Sequence, residues 1–187
     1  MKPRETIVDA FAKWTALSAT RSGCPIKSRK DVYPLIELPN YNRLFRGKHI
    51  SQKDFDKWHK KNTLKIHEKS KKLPVGWAAK LINVYLKTMV YLAGEGRPGL
   101  IQCIHPPIDN GLWAGIKKEY KNDNKDDEIK KQLHVFTGIN KIKTYADYVK
   151  IIDLCRTIAK NRKCKLIEVE ELWQVSKETK RKMSKYG

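Results

Sequence analysis

Apolar residues recur at helical spacing in the first half of the chain. Residues 4–19 carry apolar side chains along one helix face, namely Ile7, Val8, Phe11, Trp14 and Leu17. This spacing predicts an amphipathic helix. Ser51 is a suitable N-cap for a second helix extending to about residue 71. A third helix, far more apolar, is predicted over 77–93.

The second half of the chain continues this helical pattern. Asp109 follows two prolines and precedes an apolar segment, which predicts an extended entry and an N-cap for a new helix. Thr144 is a suitable cap for a long helix with apolar residues at helical spacing. The pattern predicts a final helix over about 167–183, with Val169, Leu172 and Trp173 in the core.

Two stretches interrupt the helical pattern. Residues 23–50 contain three prolines, which predict a long irregular connection with at most one brief turn of helix. Residues 119–128, EYKNDNKDDE, are hydrophilic and predict a loop or a helix start. Almost nothing predicts a strand, so we expect an all-α fold. A chain of 187 residues fits one domain with a real core.

The charge balance narrows the choice of partner. The chain has 40 Lys and Arg against 20 Asp and Glu, a formal net charge of +20. Nucleic acid is the polyanion that such a balance favours. An anionic membrane is the alternative, but it favours a single basic amphipathic helix, whereas here the basic residues recur along most of the chain.

Cysteine and hydropathy patterns indicate the class of protein. The four cysteines form no CxxC pair, so we expect free thiols and no metal centre: Cys24, Cys103, Cys155 and Cys164. No apolar run approaches the roughly 18 residues that a membrane span needs, and the N-terminus lacks a signal-peptide core. We therefore expect a cytoplasmic, nucleoid-associated protein.

Two lysines stand out in the most apolar stretch, LPVGWAAKLINVYLK. Lys80 and Lys87 are seven residues apart and therefore lie along one side of a helix that is otherwise largely apolar. A buried amine without a partner is costly, and this environment commonly makes a lysine nucleophilic. The alternative is that Lys80 is an ordinary exposed residue and that Lys87 extends from the core to solvent or to a phosphate.

The order of these motifs resembles the helix-hairpin-helix DNA glycosylase superfamily. The matching residues are Leu73, Pro74, Val75 and Gly76 for the hairpin, Lys80 for the nucleophile, and Pro107, Ile108 and Asp109 for the aspartate loop. A second lysine seven residues after the first, as Lys87 follows Lys80, resembles the pattern of the archaeal 8-oxoguanine DNA glycosylase branch and its bacterial and phage-defence relatives. The resemblance covers about residues 50–117.

The resemblance implies a fold of two closely packed helical lobes and an enzyme of base excision. Within one domain over 1–187, residues 1–50 would form the N-terminal helix and loop, 51–118 the catalytic segment and 119–187 the C-terminal helices. The implied activity is DNA N-glycosylase with AP-lyase activity, in repair or in defence against phage DNA with modified cytosines. The implied partner is double-stranded DNA carrying a modified base, bound by a monomer without a cofactor.

The chemistry of this reaction suits the matching residues. Breaking an N-glycosidic bond builds positive charge on the sugar, so a fixed carboxylate such as Asp109 can stabilise it while the Lys80 amine attacks C1′. The target base must leave the helix stack and be held by other side chains. We expect the base pocket among Trp77, Tyr85, Lys87, His105 and Trp113.

Basic residues before and within the hairpin are candidates for contacts with the DNA backbone. The predicted DNA-binding set is Lys60, Lys61, Lys65, Lys71, Lys72, Pro74, Val75 and Gly76. The lysine run could equally be a solvated helix face. In the same way, His105 could be a hydrogen-bonded loop histidine, and Trp14, Trp58 and Trp173 could be core residues.

Two functions compete with the glycosylase. The first is a DNA-binding module that keeps the hairpin for phosphate contacts and has no catalysis. The second is a basic adaptor for a protein partner, which needs an exposed apolar stripe. The helical patterns predict no clear stripe of this kind.

Overall fold

The chain folds into helices, as the sequence predicts. A computed structural model describes residues 3–20, 23–121 and 127–173, and these ranges contain no strand. The α-helices are α1 Pro3–Ser18, α2 Arg29–Glu37, α3 Asn42–Phe45, α4 Gln52–Lys69, α5 Val75–Leu86, α6 Leu100–Cys103, α7 Asn110–Tyr120, α8 Asp127–Gln132 and α9 Tyr145–Arg162. Short 3₁₀ helices span Leu133–Val135, Ile139–Lys141 and Leu166–Leu172. The all-α prediction is confirmed.

Helix α5 is the centre of the fold. All twelve of its residues are buried, and it packs against α1, α4 and α9. A helix that is apolar on nearly every side must be covered on every side, which explains its central place. The helix continues beyond α5 as a π-helical turn, Lys87–Leu92. The predicted helix over 77–93 is thus confirmed, with its start at Val75 directly after Pro74.

Helix α1 is confirmed, but only part of its predicted apolar face is buried. It packs against α5 through Ala12 and Ala16, which are fully buried. Small side chains let two helix backbones approach closely. Two of the predicted apolar residues, Val8 and Leu17, are partly buried against the core. A stripe of Ile7, Phe11 and Trp14 is exposed, with the last two rings stacked at 5.7 Å.

The exposed stripe lies on a defined side of α1. Asp9 accepts a hydrogen bond from Tyr85 (2.7 Å), and Lys13 pairs with Glu37 of α2 (2.9 Å). By helical geometry the stripe is on the opposite side of α1 from Asp9 and Lys13. The expectation that no helix shows an exposed apolar stripe is thus wrong.

The prediction of an irregular connection over 23–50 is also wrong, because α2 and α3 lie within it. Ser28 caps α2 by accepting a hydrogen bond from the Asp31 N–H (3.3 Å). Three residues at helical spacing, Val32, Leu35 and Ile36, bury the inner face. Pro34 is tolerated because it lies on the exposed side, where the carbonyl left without a partner can meet water.

The hairpin that precedes α5 is packed inside the fold. The Gly76 N–H donates to the Ile142 carbonyl (3.1 Å), and a Cβ at Gly76 would lie 2.6 Å from the Ile139 carbonyl oxygen. Pro74 and Val75 are buried with it. This packing argues against the expected contacts of Pro74, Val75 and Gly76 with DNA, because all three are buried and the Gly76 N–H is already bonded to Ile142.

The end of the described chain differs from the predicted final helix. A 3₁₀ helix, Leu166–Leu172, replaces the start of the α-helix predicted over 167–183, and the rest of that range lies outside the described residues. Val169 is buried as expected, whereas Trp173 is 46% exposed. Trp173 is therefore a surface residue, and its expected place in the core is wrong.

Several simpler expectations hold. Ser51 caps α4 and Thr144 caps α9, each by accepting the N–H three residues later at 3.1 Å. The four cysteines are free thiols, three buried and Cys164 half-buried. Among the described residues, no helix has both the length and the apolar character of a membrane span.

Candidate active site

Lys80 and Asp109 form a close pair. The Nζ atom of Lys80 lies 3.1 Å from Oδ2 of Asp109. Lys80 is in the second turn of α5, and Asp109 precedes the first residue of α7. The fold thus brings together the two residues that the sequence selects as nucleophile and carboxylate.

The surroundings of Lys80 correct one expectation about it. Its side chain is only 8% exposed, as the apolar helix predicts, but the amine is not without partners. Besides Asp109, Nζ donates to the Ala19 carbonyl (3.4 Å) and lies 5.0 Å from the centre of the Trp77 ring. A buried ammonium needs such partners, and these also fix the direction of the side chain.

Asp109 is held from three sides. Its Oδ1 accepts hydrogen bonds from the Leu112 N–H (2.9 Å), which caps α7, and from Trp173 Nε1 (3.2 Å). Its Oδ2 faces Lys80. The cap, which the sequence predicts, holds the carboxylate at a fixed position beside the amine and leaves its side chain 23% exposed.

Lys87 forms a second ion pair beside the first. Its Nζ atom donates to Oε1 of Glu170 at 2.7 Å. Burial raises the pKa of the Glu170 carboxyl, and the nearby Lys87 ammonium offsets part of that effect. Lys80 and Asp109 also act on the Glu170 charge, so the two ion pairs form one electrostatic unit.

An open groove of about 740 Å³ lies at the second ion pair. Its volume is in the range typical of small-molecule pockets. The groove combines the charged pair, aromatic rings and apolar side chains: Lys87, Tyr91, Leu92, Cys164, Ile167, Glu168, Glu170, Glu171 and Trp173. Trp173 connects the groove to the catalytic candidates, since it also donates to Asp109.

Four of the five residues proposed for the base pocket do not line this groove. Trp77 is buried and donates to Asn140 (2.7 Å), and Trp113 is buried and donates to the Leu133 carbonyl (3.1 Å). Tyr85 faces Asp9 on the far side of α5, and His105 is enclosed in a polar network. Only Lys87 lines the groove, because the other four are needed to fill the core.

The predicted backbone-binding lysines are placed on the surface. The side chains of Lys60, Lys61, Lys65, Lys71 and Lys72 are all exposed. Lys65 donates to the Leu38 carbonyl at 3.3 Å. The exposed side chains of these lysines can contact a polyanion, whereas the three hairpin residues are buried.

Glu170 and Trp173 are functional candidates that sequence reasoning missed. Both lie in the segment that the pattern assigned to an ordinary amphipathic helix, so Trp173 was placed in the core. The sequence offers one signal for these partners. Lys80 and Lys87 lie in an apolar helix that contains no carboxylate, so their charges need carboxylates from other parts of the chain. That signal predicts that partners exist but not which residues they are.

Two buried histidines, His59 and His105, lie in a polar network that contacts α5 through Asn83. Oδ1 of Asp56 is 3.0 Å from Nε2 of His105, and Arg156 donates to Oδ2 of the same carboxylate (2.7 Å). His59 lies 2.8 Å from the Tyr145 hydroxyl. Burial lowers the pKa of His59 well below its usual value, and burial also lowers that of His105 despite Asp56. Burial therefore favours the neutral form of both rings.

We expect these histidines to make the fold sensitive to mild acid. Below about pH 6.5 the unfolded chain takes up protons that the folded chain excludes, so the free energy of unfolding falls by up to about 1.4 kcal/mol per histidine per pH unit. The same free energy is fully present above the unfolded pKa. Denaturant titrations at pH 7.5 and 5.5 measure the loss.

The matched variants for this prediction are His105→Gln and His134→Gln. His105 is buried, whereas His134 is exposed. The first variant should reduce the difference in unfolding free energy between the two pH values, and the second should leave it unchanged. Asp56 does not contribute in this range: burial opposes its charge, but His105, Gln52 and Arg156 hold its pKa at about 2.

Comparisons of the chain with family models, with curated proteins and with solved structures gave no match. Within 3–20, 23–121 and 127–173, no group of three or more His, Cys, Asp or Glu side chains is arranged to hold a metal ion. The features of this chain that bear on its function are therefore the two ion pairs and the groove beside them.

Proposed function

We propose that this protein is a DNA glycosylase of the helix-hairpin-helix type, with AP-lyase activity, that excises a modified base from duplex DNA. The observation that carries the proposal is the distance of 3.1 Å between Lys80 Nζ and Asp109 Oδ2 beside an open groove. An amine and a carboxylate at this distance suit attack on an electron-poor sugar carbon.

The reaction uses each group in a defined way. Asp109 accepts a proton from the Lys80 ammonium, and the neutral amine nitrogen then bonds to C1′ as the glycosidic bond breaks. The base leaves with the bonding electron pair and takes up the proton that Asp109 holds, which restores the carboxylate facing the positive charge on the sugar. The nitrogen bonded to C1′ then loses a proton, and the sugar ring opens at the C1′–O4′ bond, with O4′ taking up a proton. This gives a Schiff base, from which β-elimination of the 3′ phosphate cuts the strand.

The groove supports binding of a flipped base. Trp173 and Tyr91 offer aromatic surface at its edge, and rings of this kind stack on any base. Glu170 and Lys87 supply a hydrogen-bond acceptor and a donor for the polar edge of the base. This assignment replaces the buried aromatic residues that the sequence favoured.

The lysines of α4 and of the turn after it supply a surface for the DNA backbone. Eight exposed lysines lie there, among them the five predicted to contact the DNA backbone, and the net charge of +20 favours binding to a polyanion. The Gly76 N–H of the hairpin is already bonded to Ile142, so the proposed backbone contacts are made by side chains around the hairpin.

We expect the affinity for DNA to fall steeply with salt. Each phosphate that a lysine neutralises contributes about 0.9 to the slope of log affinity against log salt concentration. A Lys60→Gln/Lys61→Gln/Lys65→Gln variant should lower this slope if α4 faces the backbone, as fluorescence anisotropy would measure. A matched control is Lys117→Gln/Lys118→Gln, which removes two exposed charges from α7. If the α4 variant shows the same slope as the wild type, those lysines do not contact the DNA backbone and serve only solubility.

One observation favours a second function, the protein-binding adaptor. The exposed stripe of Ile7, Phe11 and Trp14 supplies the apolar surface that such a role needs. An adaptor and a binding module release no base from any DNA. Mass-spectrometric screening of bases released from genomic and phage DNA tests the glycosylase against both, and it also identifies the base. Release of no base by an enzyme that is folded and bound to the DNA would overturn the proposal.

A further inference from the structure

A buried polar network ties the helix of Lys80 to the loop of Asp109. Asn83 lies on α5, one turn after Lys80, and its Nδ2 donates to the Pro106 carbonyl (3.1 Å). Pro106 is three residues before Asp109 and is buried. Asn83 is itself only 1% exposed. One side chain therefore connects the two backbone segments that carry the proposed catalytic pair.

The other hydrogen bonds of Asn83 fix the orientation of its amide. Nδ2 also donates to the Tyr148 hydroxyl (2.9 Å), which uses its second proton, and Oδ1 lies 2.9 Å from His59 Nε2. Oδ1 can only accept, so His59 carries its proton on Nε2. Nδ1 of His59 then accepts from the Tyr145 hydroxyl. Every polar atom of the Asn83 side chain is satisfied in this orientation.

Tyr148 connects Asn83 to the second histidine of the network, His105. The Tyr148 hydroxyl accepts from Asn83, so its own proton goes to Nδ1 of His105 at 3.0 Å. His105 then carries its proton on Nε2 and donates to Asp56. The hydrogen bonds thus run in one consistent direction from Tyr145 to Asp56, with both histidines neutral. Flipping the Asn83 amide would place donor against donor at His59.

We infer that Asn83 is a positioning residue for the Lys80–Asp109 pair. Its bond to Pro106 sets the distance between the amine and the carboxylate, and the histidines and Tyr148 hold the amide in the orientation that makes this bond. A buried network with every member satisfied is rigid, which suits this task. The inference rests on the proposed function, since it assigns Asn83 to the geometry of that same site.

The test compares two identical substitutions in the wild-type chain. Asn83→Leu removes the bond to Pro106. Asn62→Leu is the matched control, because Asn62 is also a buried asparagine whose Nδ2 donates to a backbone carbonyl, that of Trp58 in its own helix α4 (2.8 Å). Asn83→Asp keeps the side-chain shape but loses both donors. All variants are assayed under single-turnover conditions, well below their melting temperatures.

We expect Asn83→Leu and Asn83→Asp to slow base excision by at least about tenfold at saturating DNA, while the affinity for DNA changes by less than about twofold, since a misplaced group near the reacting atoms costs rate and not binding. Borohydride trapping on DNA with a preformed abasic site should fall much less, because its aldehyde needs no help from Asp109 to release a base. Asn62→Leu should change neither rate.

The outcomes separate this inference from the proposed function. If the wild type releases no base and traps no abasic site, the proposed function fails. If the wild type is active but Asn83→Leu and Asn62→Leu excise at equal rates, Asn83 is only a structural residue. Equal losses in excision and in abasic-site trapping would also overturn the positioning role, because general damage to the fold slows both.

Discussion

Replacing Lys80 with glutamine should abolish the covalent adduct that borohydride traps between this protein and DNA. Only an amine can form the Schiff base, and base excision should fall by at least about a thousandfold, the scale observed when a covalent nucleophile is removed. Gel electrophoresis of the trapped complex measures the adduct. Glutamine can still donate a hydrogen bond to Asp109, so the substitution keeps a polar contact where the ion pair stood.

The matched control for Lys80 is Lys87→Gln. Both lysines leave the same side of α5 and its π-helical continuation, and each pairs with a carboxylate, Asp109 or Glu170. Lys87→Gln should weaken trapping without removing it, because its proposed task is to bind the base. If the Lys80 variant forms as much adduct as the wild type, the nucleophile is another amine.

Asp109→Asn should slow base excision by at least about a hundredfold, the usual scale for losing one preorganised electrostatic group. Asparagine is also a good N-cap, so α7 should persist. The sequence alone suggests a small cost in stability, but the ion pair with Lys80 changes that expectation. Loss of the carboxylate leaves a buried ammonium facing an amide, which costs about 1–3 kcal/mol.

The stability cost has its own measurement and control. At about 2–4 °C per kcal/mol for a chain of this size, Asp109→Asn should lower the melting temperature by several degrees. Ser51→Asn makes a comparable N-cap replacement at α4, far from the groove in sequence, and should leave both stability and excision near wild type. Excision near the wild-type rate by Asp109→Asn would leave Asp109 a structural cap only.

Features encoded within one or two helical turns were predicted correctly. Ser51, Asp109 and Thr144 cap their helices as expected, because a cap joins a side chain to an N–H three residues away. The burial of α5 follows in the same way from its own composition. Helix α2 was missed although Ser28 is a suitable cap, because Pro34 predicts a break unless its exposed position is known.

The face that a helix buries depended on its neighbours. The apolar pattern of α1 predicts that Phe11 and Trp14 are inside, yet the contact with α5 selects the alanines. Periodicity identifies a helix and its apolar residues, but several faces of α1 contain such residues. The choice among these faces is made by close packing with α5, which lies about seventy residues further along the chain.

The candidate site likewise combines features that local sequence encodes with features that tertiary contacts set. The sequence by itself determined helices α1, α4, α5, α7 and α9, the apolar surroundings of Lys80 and the capping role of Asp109, because each depends on residues within a few turns of the chain. Only the tertiary structure decided that Glu170, 83 residues from Lys87, completes the second ion pair, and that Asn83 holds the loop of Asp109. Contacts of this kind depend on the relative placement of whole helices, which the shared core sets and no local pattern encodes.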